Sequence, residues 1–172
     1  MSVSTGARRG LQMFNRKDAP RVDDTGMQRP PQLDEPAREA LPEFRSGQGS
    51  VTKLLCGDPD DPGGGGLSLV WVRFGGNYHL PRHAHSVDCL YYIVSGEIRM
   101  GNRTCGPGEG FLVPADAPYG YVAGPDGVEL LEFRGVSSYD SQIKETPAGW
   151  ERILAAVRAN RDHWAEEMPA YE

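Results

Sequence analysis

Between Leu67 and Phe133 the apolar runs are short, rich in β-branched and aromatic residues, and repeatedly cut by glycine, proline or Asn/Asp turns. LSLVWVRF stops at Gly75-Gly76, LYYIV at Ser95-Gly96 and FLV at Pro114, and VELLEF is the last of them. With Val51 to Leu55 before them, such runs predict about eight strands in a closed or sandwich-like barrel, not a parallel sheet. Ile98 to Met100 and Arg103 to Cys105 flank Gly101-Asn102, a two-residue turn in which both residues tolerate positive φ. Tyr119 to Val122 reads as a further strand, separated from Val128 to Phe133 by a GPDG turn. Pro81 cannot donate to a ladder, so the approach to His83 reads as an edge or an irregular segment.

Three of the four histidines, His79, His83 and His85, fall within this strand-like sequence. A spacing of two sends the His83 and His85 rings out of one face of an extended strand, where two neutral imidazoles can chelate a metal.

The residues around them resemble the motifs of the cupin family of small β-barrels. Gly76, His83, His85, Cys89 and Gly96 match its first motif, with cysteine at the glutamate position. Gly108, Pro114, Asp116, Tyr119 and Ala123 match the second, whose inner glycine, histidine and asparagine are replaced. The resemblance implies an all-β fold: a cupin-like double-stranded β-helix, or jelly-roll barrel, with an N-terminal arm and a C-terminal α-helix. The expected divisions are an arm over 1–50, a barrel over 51–137 and a helical extension over 138–172. It also implies a homodimer, because cupins often exchange terminal segments.

With that resemblance, His83 and His85 are expected to bind a divalent transition metal (Fe, Zn, Ni, Cu or Mn, with iron the first choice). Cys89 is a candidate thiolate ligand, or else a small buried hydrophobe. His79 shares the parity of His83 and is a candidate third ligand, or a rim acid or base. Tyr119 is a candidate ligand or catalytic hydroxyl. Trp71, Arg73, Tyr92, Phe111 and Tyr121 are candidates for the substrate pocket, and Arg82 and Arg99 are also available to hold a carboxylate. The expected function is metal-dependent, dioxygenase-like chemistry on a small organic acid or diketone-like molecule. One alternative is a non-catalytic binding or sensory module, and another is a metal-dependent isomerase or lyase using Tyr119.

A chain of 172 residues suits one domain with extensions. A net charge of −6 with dispersed basic residues argues against a nucleic-acid partner. No apolar run follows Arg8 and Arg9, none is of membrane-spanning length, and three cysteines form no pairing pattern. The expectation is a cytoplasmic protein without a membrane partner. Residues 63–66 are four glycines, but no Gly-Lys-Ser/Thr follows, so they read as a flexible connection rather than a phosphate loop. The first fifty residues are polar and proline-punctuated, with a helical turn or two at Pro36 to Leu41, and read as a docked arm or a tail. At the other end, Thr146-Pro147 is an N-cap with proline at the first helical position. Trp150, Ile153, Leu154, Val157, Arg161 and Trp164 then recur at helical spacing.

Overall fold

Alternation along the long strands gives the sheet its two faces. In the computed structural model, which describes residues 11–58 and 66–172, the strands are β1 (Ser50–Cys56), β2 (Ser68–Phe74), β3 (His83–Ala84), β4 (Cys89–Met100), β5 (Arg103–Cys105), β6 (Gly110–Val113), β7 (Val122–Arg134) and β8 (Gln142–Ile143). Six of them form an antiparallel sheet in the order β1-β2-β7-β4-β5, with β6 also paired to β4, while β3 and β8 make a separate two-stranded ladder. Among the described residues the large sheet does not close on itself, so the expected barrel is an open, mostly antiparallel β-structure. Most of the connection that carries the four glycines, residues 59–65, lies outside the described residues.

In β4, Cys89, Tyr91 and Ile93 point into the core, while Leu90, Tyr92 and Val94 point out. Ser95-Gly96 does not end this strand. Gly96 takes a φ of 71° and Gly127, opposite, a φ of 75°, and there the register with β7 jumps from Gly96↔Val128 to Ile98↔Ala123. The GPDG segment is therefore a wide bulge inside one 13-residue strand, not a turn between two. Only glycine reaches both left-handed positions without a Cβ penalty, and the two backbones meet too closely there for a side chain.

The molecule is not all-β. Besides the short α1 (Val22–Thr25), it has α2 (Glu35–Ser46) and α3 (Pro147–Glu167). In α2, the Asp34 side chain accepts the Ala37 N–H at 3.0 Å and proline occupies the first turn. Its length beyond the expected turn or two has a tertiary cause. Ala37, Ala40 and Leu41 bury against Trp150 and Ile153 of α3, and past the expected turns Phe44 packs edge-on to Trp150 while Glu43 pairs with Arg158. Thr146 caps α3 as expected, accepting from Gly149 N–H at 3.0 Å. The far end of α3 seats Trp164 against Tyr78 and over Gly49 and Gly75, with its indole N–H donating to the Gly76 carbonyl at 3.0 Å. From Arg21 onward the arm docks on its own chain. Met27 and Val22 are buried, and single bridges tie Arg21 to Lys53, Gln28 to Tyr139 and Gln32 to Gln142.

Candidate functional site

The histidine segment is held by backbone pairing before any side chain acts. His83 N–H donates to the Tyr119 carbonyl and Tyr119 N–H to the His83 carbonyl, both at 2.9 Å, which sets His83 beside Tyr119. The His83 and His85 rings share one face, with centroids 4.8 Å apart, and the Tyr119 ring lies 4.5 Å from that of His83. Each histidine is anchored through Nδ1, His83 on the Pro81 carbonyl at 2.8 Å and His85 on the Asp140 carbonyl at 2.5 Å. A carbonyl only accepts, so Nδ1 carries the proton in both rings and the Nε2 lone pair is left for a ligand. Both rings are neutral. Burial, then the His85 ring beside it, pulls His83 down to about 3, and burial followed by the Arg134 charge lowers His85.

β7 contributes two charged side chains that sequence reasoning missed. Arg134, 3% exposed, pairs with Glu132 at 2.5 Å, donates from Nε to Cys89 Sγ at 3.1 Å and lies 3.9 Å over the Tyr139 ring. Its Nη1 and the buried Tyr121 hydroxyl have no hydrogen-bond partner among the described residues. Buried donors of this kind are costly unless something accepts from them. Tyr91 and Tyr119 share a hydroxyl–hydroxyl hydrogen bond, and Phe111 stacks on Tyr91 with centroids 4.6 Å apart. Burial raises the phenol pKa values of both tyrosines well above their ordinary range.

His83, His85, Cys89, Tyr119, Phe111 and Tyr121 thus share the core with Glu132, Arg134 and Tyr91. The remaining sequence candidates lie elsewhere. Trp71 and Arg73 occupy the other face of β2, where Trp71 stacks on Tyr171 and Arg73 pairs with Glu167. Tyr92, 46% exposed, is on the outer face of β4 because its parity is opposite to that of Tyr91. His79 bridges to Val122 and lines a neighbouring cleft with Arg99, Arg152 and Glu145, which Tyr119 and Tyr121 also line.

As a metal centre, the cluster supplies two neutral nitrogen donors whose second nitrogens are fixed on carbonyls, the second-shell arrangement of ligating histidines. A third protein donor of the usual kind is not assembled. Among the described residues no three His, Cys, Asp or Glu side chains are grouped so as to hold an ion. Burial raises the Cys89 thiol pKa, only partly offset by Arg134, so the sulfur sits protonated under a guanidinium rather than as a thiolate. Among the described residues Tyr119 is the tyrosine whose ring contacts both histidines, and Tyr139 meets His85 alone.

No family model matches the chain, and no curated protein matches it. Among solved structures, the polyketide cyclase RemF from Streptomyces resistomycificus aligns over 86% of this chain and 99% of its own, at 17% identity and a TM-score of 0.55. An RmlC-like cupin from Shewanella frigidimarina aligns over 53% of this chain and 78% of its own, at 22% identity and a TM-score of 0.44. KdgF from Halomonas sp. aligns over 51% and 81%, at 25% identity and a TM-score of 0.42. This chain shares the fold of that cyclase, and cupins are among the solved structures it is similar to. At such identities the likeness carries the fold and none of the chemistry. Within the cupin fold, the two motifs found in the sequence meet where His83 pairs with Tyr119.

Proposed function

We propose that the core cluster binds a small organic acid or diketone-like molecule, with His83 and His85 as two ligands to a divalent transition metal, iron first. The observation that carries this reading is the pair of Nδ1–carbonyl hydrogen bonds, which leaves two neutral Nε2 lone pairs on adjacent rings. Arg134 Nη1 and the Tyr121 hydroxyl, buried and unpartnered among the described residues, are suited to a substrate's carboxylate or carbonyl oxygen. His83 and His85 would hold the metal, which as iron would supply dioxygenase-like chemistry. The Arg134–Glu132 pair sets its cation toward the histidines and its carboxylate charge toward the tyrosines, so the field across the cluster is polarised.

Metal-dependent isomerase or lyase chemistry is the second reading, favoured by the Tyr91–Tyr119 hydroxyl pair against the neutral His83 ring. Tyr119 would pass a proton to or from substrate, and Tyr91 would hold its hydroxyl in place. A homodimer, a cytoplasmic location and the division into arm, barrel and helical extension belong to the same proposal. Its observations are three free cysteines and the lack, among the described residues, of any helix long and apolar enough to cross a membrane.

Elemental analysis of protein purified without an affinity tag, followed by cobalt(II) titration, tests the metal. The expected result is a visible cobalt spectrum in the natural protein, and its loss in the His83→Ala/His85→Ala double variant with the near-ultraviolet circular dichroism retained. Equal metal content in the two proteins would overturn the assignment.

A further inference from the structure

One cleft, which borders the core cluster at Tyr119 and Tyr121, collects cations. It has a volume of about 490 Å3 and lies between residues 118–122, the end of β4 and the first turns of α3. Arg82, Arg99 and Arg152 line it together with His79 and a single carboxylate, Glu145. The chain as a whole carries a net charge of −6, so three guanidinium groups against one carboxylate is a local reversal of sign.

Glu145 does not pair with them. Its Oε2 accepts the Arg82 backbone N–H at 2.9 Å and its Oε1 the Thr146 N–H at 2.8 Å, so both oxygens are engaged by the main chain. None of the three arginines forms an ion pair with a carboxylate of the described residues. Among the described residues the one hydrogen bond from their side chains is a long contact, 3.4 Å, from Arg99 to the Ala123 carbonyl. Arg73 and Arg158, by contrast, are paired with Glu167 and Glu43. The arginine field also reaches His79. Burial first, then Arg152 and Arg99, lower its pKa, while Glu145 opposes them.

Three like charges facing one concavity repel each other, and an oxyanion between them removes that repulsion while accepting charge-assisted hydrogen bonds from planar donors. We propose that this cleft is a binding site for a small oxyanion-bearing molecule, a carboxylate or a phosphate, held by Arg82, Arg99 and Arg152. The site is distinct from the His83–His85 pair and does not depend on a metal there.

Isothermal titration of the full chain at low ionic strength, with inorganic phosphate and with succinate in separate arms, tests this. One saturable site per chain is expected for at least one anion, and the stronger arm identifies phosphate or carboxylate as the chemistry read. Arg99→Gln and Arg152→Gln should each weaken that binding about tenfold, the scale of one charge-assisted contact. Arg161→Gln, which removes the same charge from an exposed position outside the cleft, should leave it unchanged. Absence of binding in both arms, binding that survives the Arg99→Gln/Arg152→Gln double variant, or equal loss in Arg161→Gln would overturn the site. The cobalt experiment on His83 and His85 can fail without touching this result.

Discussion

A histidine ring has two nitrogens, and which one is free depends on what holds the other. Pro81 and Asp140 settle that for His83 and His85, and burial keeps both uncharged. This has a consequence for stability against pH. An unfolded histidine takes its proton near 6.5 and folded His83 only at about 3, so across that window the unfolded chain holds more protons. Stability is therefore expected to fall as pH drops below about 6.5, by up to about 1.4 kcal/mol per pH unit for one such group. Urea midpoints from pH 7 to pH 4.5 would measure it, and His83→Gln should flatten the slope; an equal slope in both proteins would mean that His83 is not the group. Asp140 acts in a lower window. Burial raises its pKa, but hydrogen bonds from the Ser86 N–H and hydroxyl outweigh that and bring it to about 2. At this scale the histidine pair was legible in the sequence, because a spacing of two in a strand has one geometric meaning. Glu132 and Arg134 were not, although Val128, Leu130, Glu132 and Arg134 share one parity in β7. Two opposite charges continuing an apolar face were the available signal.

Among the elements, α3 owes its position to one side chain at its far end. Trp164 is buried on Gly49 and Gly75 and hydrogen-bonded to Gly76, while Trp150 and Ile153 at the near end meet α2. Trp164→Ala is expected to destabilise the fold by about 3–5 kcal/mol, the range for emptying a large aromatic site. Chemical denaturation would show it, and a loss under 1 kcal/mol, the ordinary scale of a surface change, would mean that the ring is not an anchor. The helix itself was legible from Thr146-Pro147 and its periodic apolar residues. The full span of α2 was not, because its second half depends on α3, about a hundred residues away in sequence. The GPDG segment misled for a related reason. Its residues are those of a turn, and the pairing of β4 with β7 on both sides of it decides that it is a bulge.

For the whole molecule, the arm is the part the sequence left most open. Residues 21–50 lie against their own chain, with Met27 and Val22 in the main core and α2 on α3, while Leu11, Met13 and Phe14 stay exposed. Removing residues 1–46 is accordingly expected to lower the melting midpoint by several degrees, since about 1 kcal/mol shifts it by 2–4 °C in a domain of this size. Calorimetry would measure this, and an unchanged midpoint would make the arm a tail. That the chain forms short antiparallel strands could be expected from its apolar runs and turns, but the open edges of the sheet could not, since closure depends on long-range pairing. One further consequence lies in β4. Most half-buried strands choose their alignment because only one of their faces is oily. Here Cys89, Tyr91 and Ile93 face inward and Leu90, Tyr92 and Val94 outward, so sliding the strand by one position would hide nearly as much grease as the native arrangement. The kink at Gly96 against Gly127, and the guanidinium waiting for the Cys89 sulfur, are what tell the chain that the slipped alignment is wrong.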